Sequence, residues 1–189
     1  MHYTNIPKEF YSFESGEPFR NCKMCDRDLT GPSSHYVIEK AIKKYTGYKA
    51  WDVVFEYAIC VNCAGSFRNE LSKDSMHRIE TYFMQNVDMN KQQKRLNHEN
   101  PQVEDFVNEC ILTGASKSDV DEYQIFGECR GDKFMFGPMP YMVSGQAIDK
   151  ISEMLSAKTL DELDGFSEKF LGPSPELEGL FTGPRVVLI

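Results

Sequence analysis

The sequence lacks the long apolar segments that mark membrane proteins. No apolar run reaches the roughly 18 residues that a membrane-spanning helix needs. The segment Met1–Phe10 has neither the basic n-region nor the apolar h-region of a secretory signal. With 41% hydrophobic and 26% charged residues, the 189-residue chain has the composition of an ordinary soluble protein. We therefore expect a cytoplasmic protein of one large or two small domains.

The sequence also lacks the fingerprints of common catalytic sites. It contains no G-x-S-x-G motif, no P-loop and no dinucleotide-binding glycine motif. Asp161, Glu162 and Asp164 form an acidic cluster. They share a predicted helix with Leu160 and Leu163, which are expected to face inward, so the cluster is predicted to face solvent. The sequence therefore gives no positive indication of an enzyme.

Histidine is scarce, and none of the four histidines has a partner at the spacing of metal ligands. His2 and His98 lie in segments that we expect to be flexible, and His77 is predicted to lie on a helix surface. The run Asn97–Asn100 is similar to a His-based nuclease motif, but it lacks the strand before it and the helix directly after it. A histidine-based active site is therefore not predicted.

Charge is unevenly distributed along the chain, whose net charge is −8. Residues 1–100 carry 14 Lys and Arg against 13 Asp and Glu, whereas residues 101–189 carry 7 against 16, so the two parts carry +1 and −9. This asymmetry predicts two units with different surfaces. The acidic part would repel a phosphate backbone, and the near-neutral part shows no concentrated basic patch.

Four of the six cysteines form two Cys-x-x-Cys pairs. The first pair is Cys22 and Cys25, the second is Cys60 and Cys63, and 34 residues separate the two pairs. A two-residue gap lets one tight turn aim two sulfurs at one point, and zinc binds four thiolates tetrahedrally at about 2.3 Å. We therefore predict one structural Zn²⁺ site made of these four residues. Four thiolates leave no open position for a catalytic step.

Other interpretations of these cysteines are two disulfides, a thioredoxin-like redox motif or ordinary buried thiols. No βαβ pattern surrounds either pair, so the redox motif lacks its usual context. His35 could replace one cysteine as a ligand, but four thiolates already fill a tetrahedral site. Unpaired thiolates need a reducing compartment, which is a second reason to expect a cytoplasmic protein.

The segments around the cysteines predict an α+β domain. Residues that favour β structure predict strands at His35–Ile42 and Trp51–Ile59. Apolar residues at helical spacing predict one bent helix or two helices over 62–86, with Ser72 as a candidate cap. A knuckle, a hairpin and a helix that begins at the second cysteine pair follow the order of a treble clef. Residues 20–86 therefore resemble treble-clef and zinc-ribbon zinc-binding domains, and uncharacterised bacterial proteins of that type, which implies a structural zinc.

Composition predicts four parts along the chain. Residues 1–20 form an N-terminal arm, whose aromatic side chains either pack on the first domain or belong to a mobile tail. Residues 21–88 form the zinc-binding domain, 89–102 a polar linker, and 103–189 a metal-free α+β domain. The basic cluster Lys91–Arg95 is expected to face solvent, with a nucleic-acid contact as the alternative.

The second domain has the layout of the first, which predicts a degenerate internal repeat. Residues 55–83 align without a gap on 139–167, and their apolar positions match although only 3 of 29 positions are identical. Cys22 corresponds to Cys110. The other three cysteines fall on Thr113, Ser144 and Ala147. We therefore expect one zinc per chain rather than two. The alternative is two unrelated α+β segments that share a generic periodicity.

Two cysteines and the C-terminal run lie outside these assignments. Cys110 and Cys129 could pair, form half of a second site or be reactive, but free cysteines are most often buried and inert. The apolar run Gly183–Ile189 is predicted to be an edge strand or a core plug, with a partner-binding strand as the alternative.

Two functional classes follow from the sequence. The first is a protein-interaction or adaptor module with a structural zinc, which presents the hairpin faces and the acidic half to a protein partner. The second is a nucleic-acid-associated zinc protein that uses a basic hairpin face, formed by Lys40, Lys43, Lys44 and Lys49. The net charge of −8 favours the first class, because it opposes binding to phosphate backbones.

Overall fold

The computed structural model describes residues 2–45, 47–48 and 50–172, which form a six-stranded antiparallel sheet packed against helices. The strands are β1 His2–Asn5, β2 His35–Tyr45, β3 Ala50–Cys60, β4 Glu122–Arg130, β5 Lys133–Phe136 and β6 Tyr141–Ser144. The helices are α1 Val61–Glu70, α2 Lys73–Asn86, α3 Met89–Leu96, α4 Glu104–Val107, α5 Gly145–Ser152 and α6 Ala157–Phe166. None of these helices combines the length and apolarity needed to cross a membrane. The α+β class predicted from the sequence is confirmed, whereas the predicted strand or plug at Gly183–Ile189 lies outside the described residues.

The long hairpin of β2 and β3 carries the second cysteine pair to one end of the sheet. Its pairing runs from Tyr36↔Cys60 to Tyr45↔Ala50, with a register shift between Ala41 and Ile42. Both strands are rich in β-branched and aromatic residues, which pack well on a pleated surface. The two strands predicted here are confirmed, and each extends further toward the turn than the sequence indicated.

The sheet joins the two halves of the chain. Its strands run in the order β1-β5-β4-β2-β3, and β6 also pairs with β4. At the centre, β2 pairs with β4 over nine residues, from His35↔Arg130 to Lys43↔Glu122. The two predicted domains therefore contribute strands to one sheet. Their division at residues 89–102 stays a prediction.

Two helices, not one bent helix, follow the second cysteine pair. α1 ends at Glu70, and Ser72 caps α2 by accepting a hydrogen bond from the Ser75 amide. The predicted linker differs from expectation, because α3 occupies its first part. Asp88 caps α3 by accepting from the Lys91 amide at 2.9 Å.

The basic cluster of α3 is held by protein contacts. Lys91 Nζ and Arg95 Nη2 each lie 2.5 Å from the same Glu109 carboxylate oxygen. Arg95 also lies over the Phe106 ring, at 5.9 Å from its centroid. The predicted solvent-facing cluster thus has a structural use, because these contacts fix α3 against the segment around α4.

The N-terminal arm packs on both halves of the sheet. β1 pairs with β5, and the buried Phe10 ring lies 4.7 Å from the Phe134 ring. Phe13 contacts Trp51 of β3 edge-on, with ring centroids 5.5 Å apart. The expectation that the arm packs is correct, but much of its contact is with the second half of the chain.

Gly127 lies where the arm crosses the sheet, and it leaves room for the Phe10 ring. A Cβ atom at this position would lie 2.6 Å from Phe10 and 2.8 Å from Phe134. We expect Gly127→Ala to lower the free energy of unfolding by about 1–3 kcal/mol, because two buried rings must shift. Urea denaturation measures the change.

Gly65 provides a matched control in the exposed interior of α1. A Cβ there meets no atom within 4 Å. Gly65→Ala should raise stability by up to about 1 kcal/mol, because alanine favours the helix. Equal denaturation midpoints for wild type and Gly127→Ala would contradict the close approach of Phe10.

Candidate metal centre

The first cysteine pair lies in a tight turn that is closed by backbone hydrogen bonds between its own residues. The Cys22 amide donates to the Arg27 carbonyl, and the Asp26 amide donates to the Cys22 carbonyl, both at 2.8 Å. Asp26 has a positive φ of 56°, a conformation that aspartate tolerates better than most residues. The turn thereby points both cysteines of the pair to one side. Sequence analysis did not single out Asp26, although its place directly after the second cysteine marks the reversal of the chain.

The second pair spans the junction of β3 and α1. Cys60 is the last residue of β3 and the N-cap of α1, and Cys63 lies in the first helical turn. Free amides and the positive end of the helix dipole stabilise thiolates at such a position. The two pairs are also bonded directly, because the Cys60 amide donates to Cys22 Sγ at 3.3 Å.

The four sulfur atoms form one cluster. All lie within 4.8 Å of one another, and Cys25 Sγ lies 4.0 Å from Cys60 Sγ. A tetrahedral zinc with bonds of about 2.3 Å requires sulfurs about 3.8 Å apart. A disulfide requires about 2.05 Å, and all four thiols are free. The cluster is therefore compatible with one metal ion and does not consist of two disulfides.

Burial and hydrogen bonding act in opposite directions on these thiols. Burial raises the pKa of Cys22, but hydrogen bonds from the Cys60, Cys25 and Met24 amides outweigh it and lower the pKa to about 7. Burial raises the pKa of Cys63, and hydrogen bonds with Cys25 and Cys60 raise it further. The backbone thus favours a thiolate at Cys22 even before a cation is considered.

The other candidates from the sequence lie apart from this cluster. His35 Nε2 contacts Glu128 Oε1 at 2.5 Å, so its ring engages β4. His77 is exposed, as predicted, and the His98 ring bonds to nearby Asn100. In the acidic cluster on α6, Asp161 and Asp164 are exposed and Glu162 is half-buried, while Leu163 is buried, as the helical pattern predicted.

Cys110 and Cys129 are both free and fully buried. Burial raises the pKa of Cys129 to about 12, which keeps it a neutral thiol. Cys110 lies in a second turn, whose backbone hydrogen bonds have the same pattern as those of the turn at Cys22. Its amide donates to the Ala115 carbonyl, and the Gly114 amide donates to the Cys110 carbonyl, both at 2.8 Å. The Ser144 amide donates to Cys110 Sγ at 3.3 Å, as the Cys60 amide does to Cys22.

Comparisons with protein-family models, with curated proteins and with solved structures return no match to this chain. The resemblance to treble-clef domains and to bacterial proteins of that type therefore stays a prediction. The assignment of the site depends on its own geometry and chemistry.

We expect Cys60→Ser to lose the metal and to unfold the region around the hairpin. Metal binding to such sites supplies an apparent 10–16 kcal/mol or so, which is comparable with the whole stability of a domain. Elemental analysis and thermal unfolding measure the two effects. Cys110→Ser is the matched control, because it alters the corresponding turn of the second half and should leave metal content unchanged. A Cys60→Ser protein with the metal content and melting temperature of wild type would show that the cluster is not a structural metal site.

Proposed function

We propose that this chain is a zinc-binding protein with a structural site of four cysteines, and that it acts by binding a protein partner. The observation that carries the first part is the convergence of four free thiols within 4.8 Å from two Cys-x-x-Cys turns. Among divalent metals, zinc suits a closed tetrahedral set of four sulfur ligands. A closed set offers no position for substrate or water, so the metal stabilises the fold and takes no part in a reaction.

The position of the cluster supports a structural role. The knuckle, residues 22–25, contacts the sheet through few backbone bonds, one of which runs from the Lys23 amide to the Ala58 carbonyl at 2.8 Å. An ion held by both pairs would fix this turn to the end of β3 and to the start of α1. Cys22 and Cys60 are buried, whereas Cys25 is exposed, so the ion would lie near the surface at the end of the sheet.

Exposed methionines support a protein partner. Met84 near the end of α2 and Met89 at the start of α3 are 74% and 68% exposed, and they flank the bend between the two helices. Methionine side chains are flexible and polarisable, and they are common on surfaces that bind other proteins. We define Met84 and Met89 as the methionine patch.

The alternative of a basic hairpin face that binds nucleic acid receives less support. Successive residues of a strand point to opposite faces, so Lys40 and Lys44 share one face while Lys43 lies on the other. Lys43 Nζ lies 2.5 Å from Glu122 Oε1, and Lys40 Nζ lies 3.0 Å from Glu56 Oε2. Lys49 lies outside the described residues. The hairpin lysines therefore do not form one basic surface.

The methionine patch can be tested by cross-linking and affinity purification from the source cells. We expect a protein that cross-links to the wild-type chain to be lost with the double variant Met84→Lys and Met89→Lys, because two charges would have to be desolvated. The matched control replaces Asp74 and Arg78, an exposed ion pair on the same helix, with alanine. Recovery of the same proteins by all three chains would contradict a docking role for the patch.

We propose further that the second half of the chain is a metal-free copy of the first. Two sets of hydrogen bonds support the copy. The Lys23 amide bonds to the Ala58 carbonyl, and the Ile111 amide bonds in the same way to Met142. The Ser72 amide donates to Thr159 Oγ1, while the Ser156 amide donates to Ser75 Oγ. At the offset of 84, Ser72 corresponds to Ser156 and Ser75 to Thr159. The last two bonds are therefore equivalent, with the two halves interchanged, as a two-fold axis between the halves requires.

Strand register supports the same symmetry. In the first half Tyr36 pairs with Cys60, and in the second half Tyr123 pairs with Ser144. In the sequence, His35–Glu39 aligns with Glu122–Phe126 at an offset of 87, and Cys60 aligns with Ser144 at an offset of 84. Between the halves, Ile38 pairs with Gly127 and Lys40 with Ile125. At the offset of 87 between β2 and β4, Ile38 corresponds to Ile125 and Lys40 to Gly127, so a two-fold rotation converts one pair into the other. The axis would pass between Glu39 and Phe126, which also pair.

Restoring three cysteines should create a second metal site if the halves are copies. We expect a variant with Thr113→Cys, Ser144→Cys and Ala147→Cys to bind two metal ions per chain, because Cys110 already occupies the fourth position. Cobalt substitution, read from sulfur-to-cobalt absorption, and elemental analysis measure the number of sites. A control with serine at 113 and 147 and alanine at 144 should keep one ion. A folded triple-cysteine variant that holds one ion would contradict the proposed copy.

A further inference from the structure

A large cavity lies on the face of the sheet opposite to α6. Its volume is about 1020 Å³, and its walls come from β2, β3, β4, the N-terminal arm and the turn around Lys117. Lys40, Ile42 and Lys44 alternate along β2 and line it. Glu39, which precedes Lys40, points to the other face, where it accepts a hydrogen bond from Tyr57 and where Tyr57 contacts Phe166 of α6.

The charge of this cavity is opposite in sign to that of the chain. Its lining includes four lysines and one glutamate, whereas the chain carries a net −8. The lysines are Lys8, Lys40, Lys44 and Lys117. Lys40 is almost fully buried, donates to the Tyr11 carbonyl and pairs with Glu56, so it holds the arm and the strands together.

Three of the four lysines form no ion pair within the described part of the chain: Lys8, Lys44 and Lys117. Lys44 and Lys117 lie close to each other. Their ammonium groups lie over the same Tyr123 ring, at 5.7 and 5.3 Å from its centroid. Lys44 Nζ also donates to the Lys117 carbonyl. The fold thus holds two like charges close together, and an anion between them would relieve their repulsion.

The electrostatics of Lys117 agree with this geometry. Burial lowers the pKa of its ammonium group; the carboxylate of Glu9 opposes this effect, and the positive charge of Lys44 adds to it. A bound anion would offset both destabilising effects.

Planar side chains and hydroxyl groups lie beside the two lysines. Trp51 lies opposite Lys44 in the register of β2 and β3, and Phe13 packs against Trp51. Both rings are more than half exposed, at 54% and 57%, so they offer free aromatic surface at the edge of the cavity. On the other side lie the hydroxyl groups of Ser116 and Ser118, which bond to each other, and Ser118 also donates to the Asp119 carboxylate at 2.7 Å. The two lysines are therefore the groups suited to a phosphate, and the exposed aromatic pair suits a flat ring.

We propose that this cavity binds a small phosphorylated ligand with a planar ring, of the nucleoside monophosphate class. The phosphate lies between Lys44 and Lys117, and the ring stacks against Trp51 or Phe13. The proposal goes beyond the structural zinc and the methionine patch, and it depends on neither. A small ligand fits better than a nucleic-acid strand, because the arm and the Lys117 turn wall the lysines in and the second half of the chain is acidic.

Trp51 is the only tryptophan of the chain and therefore reports on the cavity directly. The zinc-loaded protein is titrated with the four common nucleoside 5′-monophosphates, the corresponding nucleosides and inorganic phosphate. Fluorescence and isothermal titration calorimetry follow binding. We expect at least one monophosphate to change the Trp51 fluorescence saturably. The corresponding nucleoside and inorganic phosphate should each bind at least roughly tenfold more weakly, because each lacks one of the two recognised groups.

Two variants test the lysines, and a third is matched to them. Lys44→Met and Lys117→Met keep the length of the side chain and should each weaken monophosphate binding roughly tenfold, which is the effect of losing one charge-assisted hydrogen bond. Lys43→Met, on the opposite face of β2, should bind as wild type does. Thermal unfolding identifies the folded variants to be compared.

Three results would overturn the proposal. The first is that no monophosphate binds saturably at millimolar concentration. The second is that Lys43→Met and Lys44→Met weaken monophosphate binding equally. The third is that a short single-stranded oligonucleotide binds while no monophosphate does. Loss of the zinc site in Cys60→Ser serves as a separate measurement, so failure of the ligand proposal and failure of the zinc proposal are distinguishable.

Discussion

The convergence of four sulfur atoms at one end of the sheet is the constraint on which the front half of this fold depends. The first two come from a short turn and the last two from the point where a strand becomes a helix, and 34 residues, most of them in the β2–β3 hairpin, lie between the pairs. Backbone amides already point at Cys22 and lower its pKa, so this cysteine favours the thiolate form. A divalent cation would complete such an arrangement, because thiolates crowded this closely repel one another without it.

The turn at Cys110 shows what the backbone can do without four thiols. Its hydrogen bonds repeat those at Cys22, and in the proposed copy Ala147 would correspond to Cys63 of α1. Burial differs at this position, because Ala147 is fully buried while Cys63 is only half-buried. Apolar packing can therefore hold the second turn in the place where a metal would hold the first.

Net charge is a poor guide to the surfaces of this protein. The chain is acidic, yet four lysines line one cavity beneath the N-terminal arm. Strand alternation separates Lys43 from Lys40 and Lys44, so a run of lysines in the sequence becomes two differently placed sets in the fold. The acidic side chains Asp161 and Asp164 lie on the outer face of α6, on the other side of the sheet from the cavity.

The sequence by itself determined the local features: the paired cysteines, the hairpin, the helix cap at Ser72 and the inward stripe of α2. Each of these depends on residues close together in the chain, whose periodicity and spacing carry the signal. Only the tertiary structure decided that β2 pairs with β4, that β1 pairs with β5, and that Lys44 meets Lys117 over Tyr123. Those contacts join residues far apart in sequence, and their register is set by packing across the whole sheet, which no local pattern records.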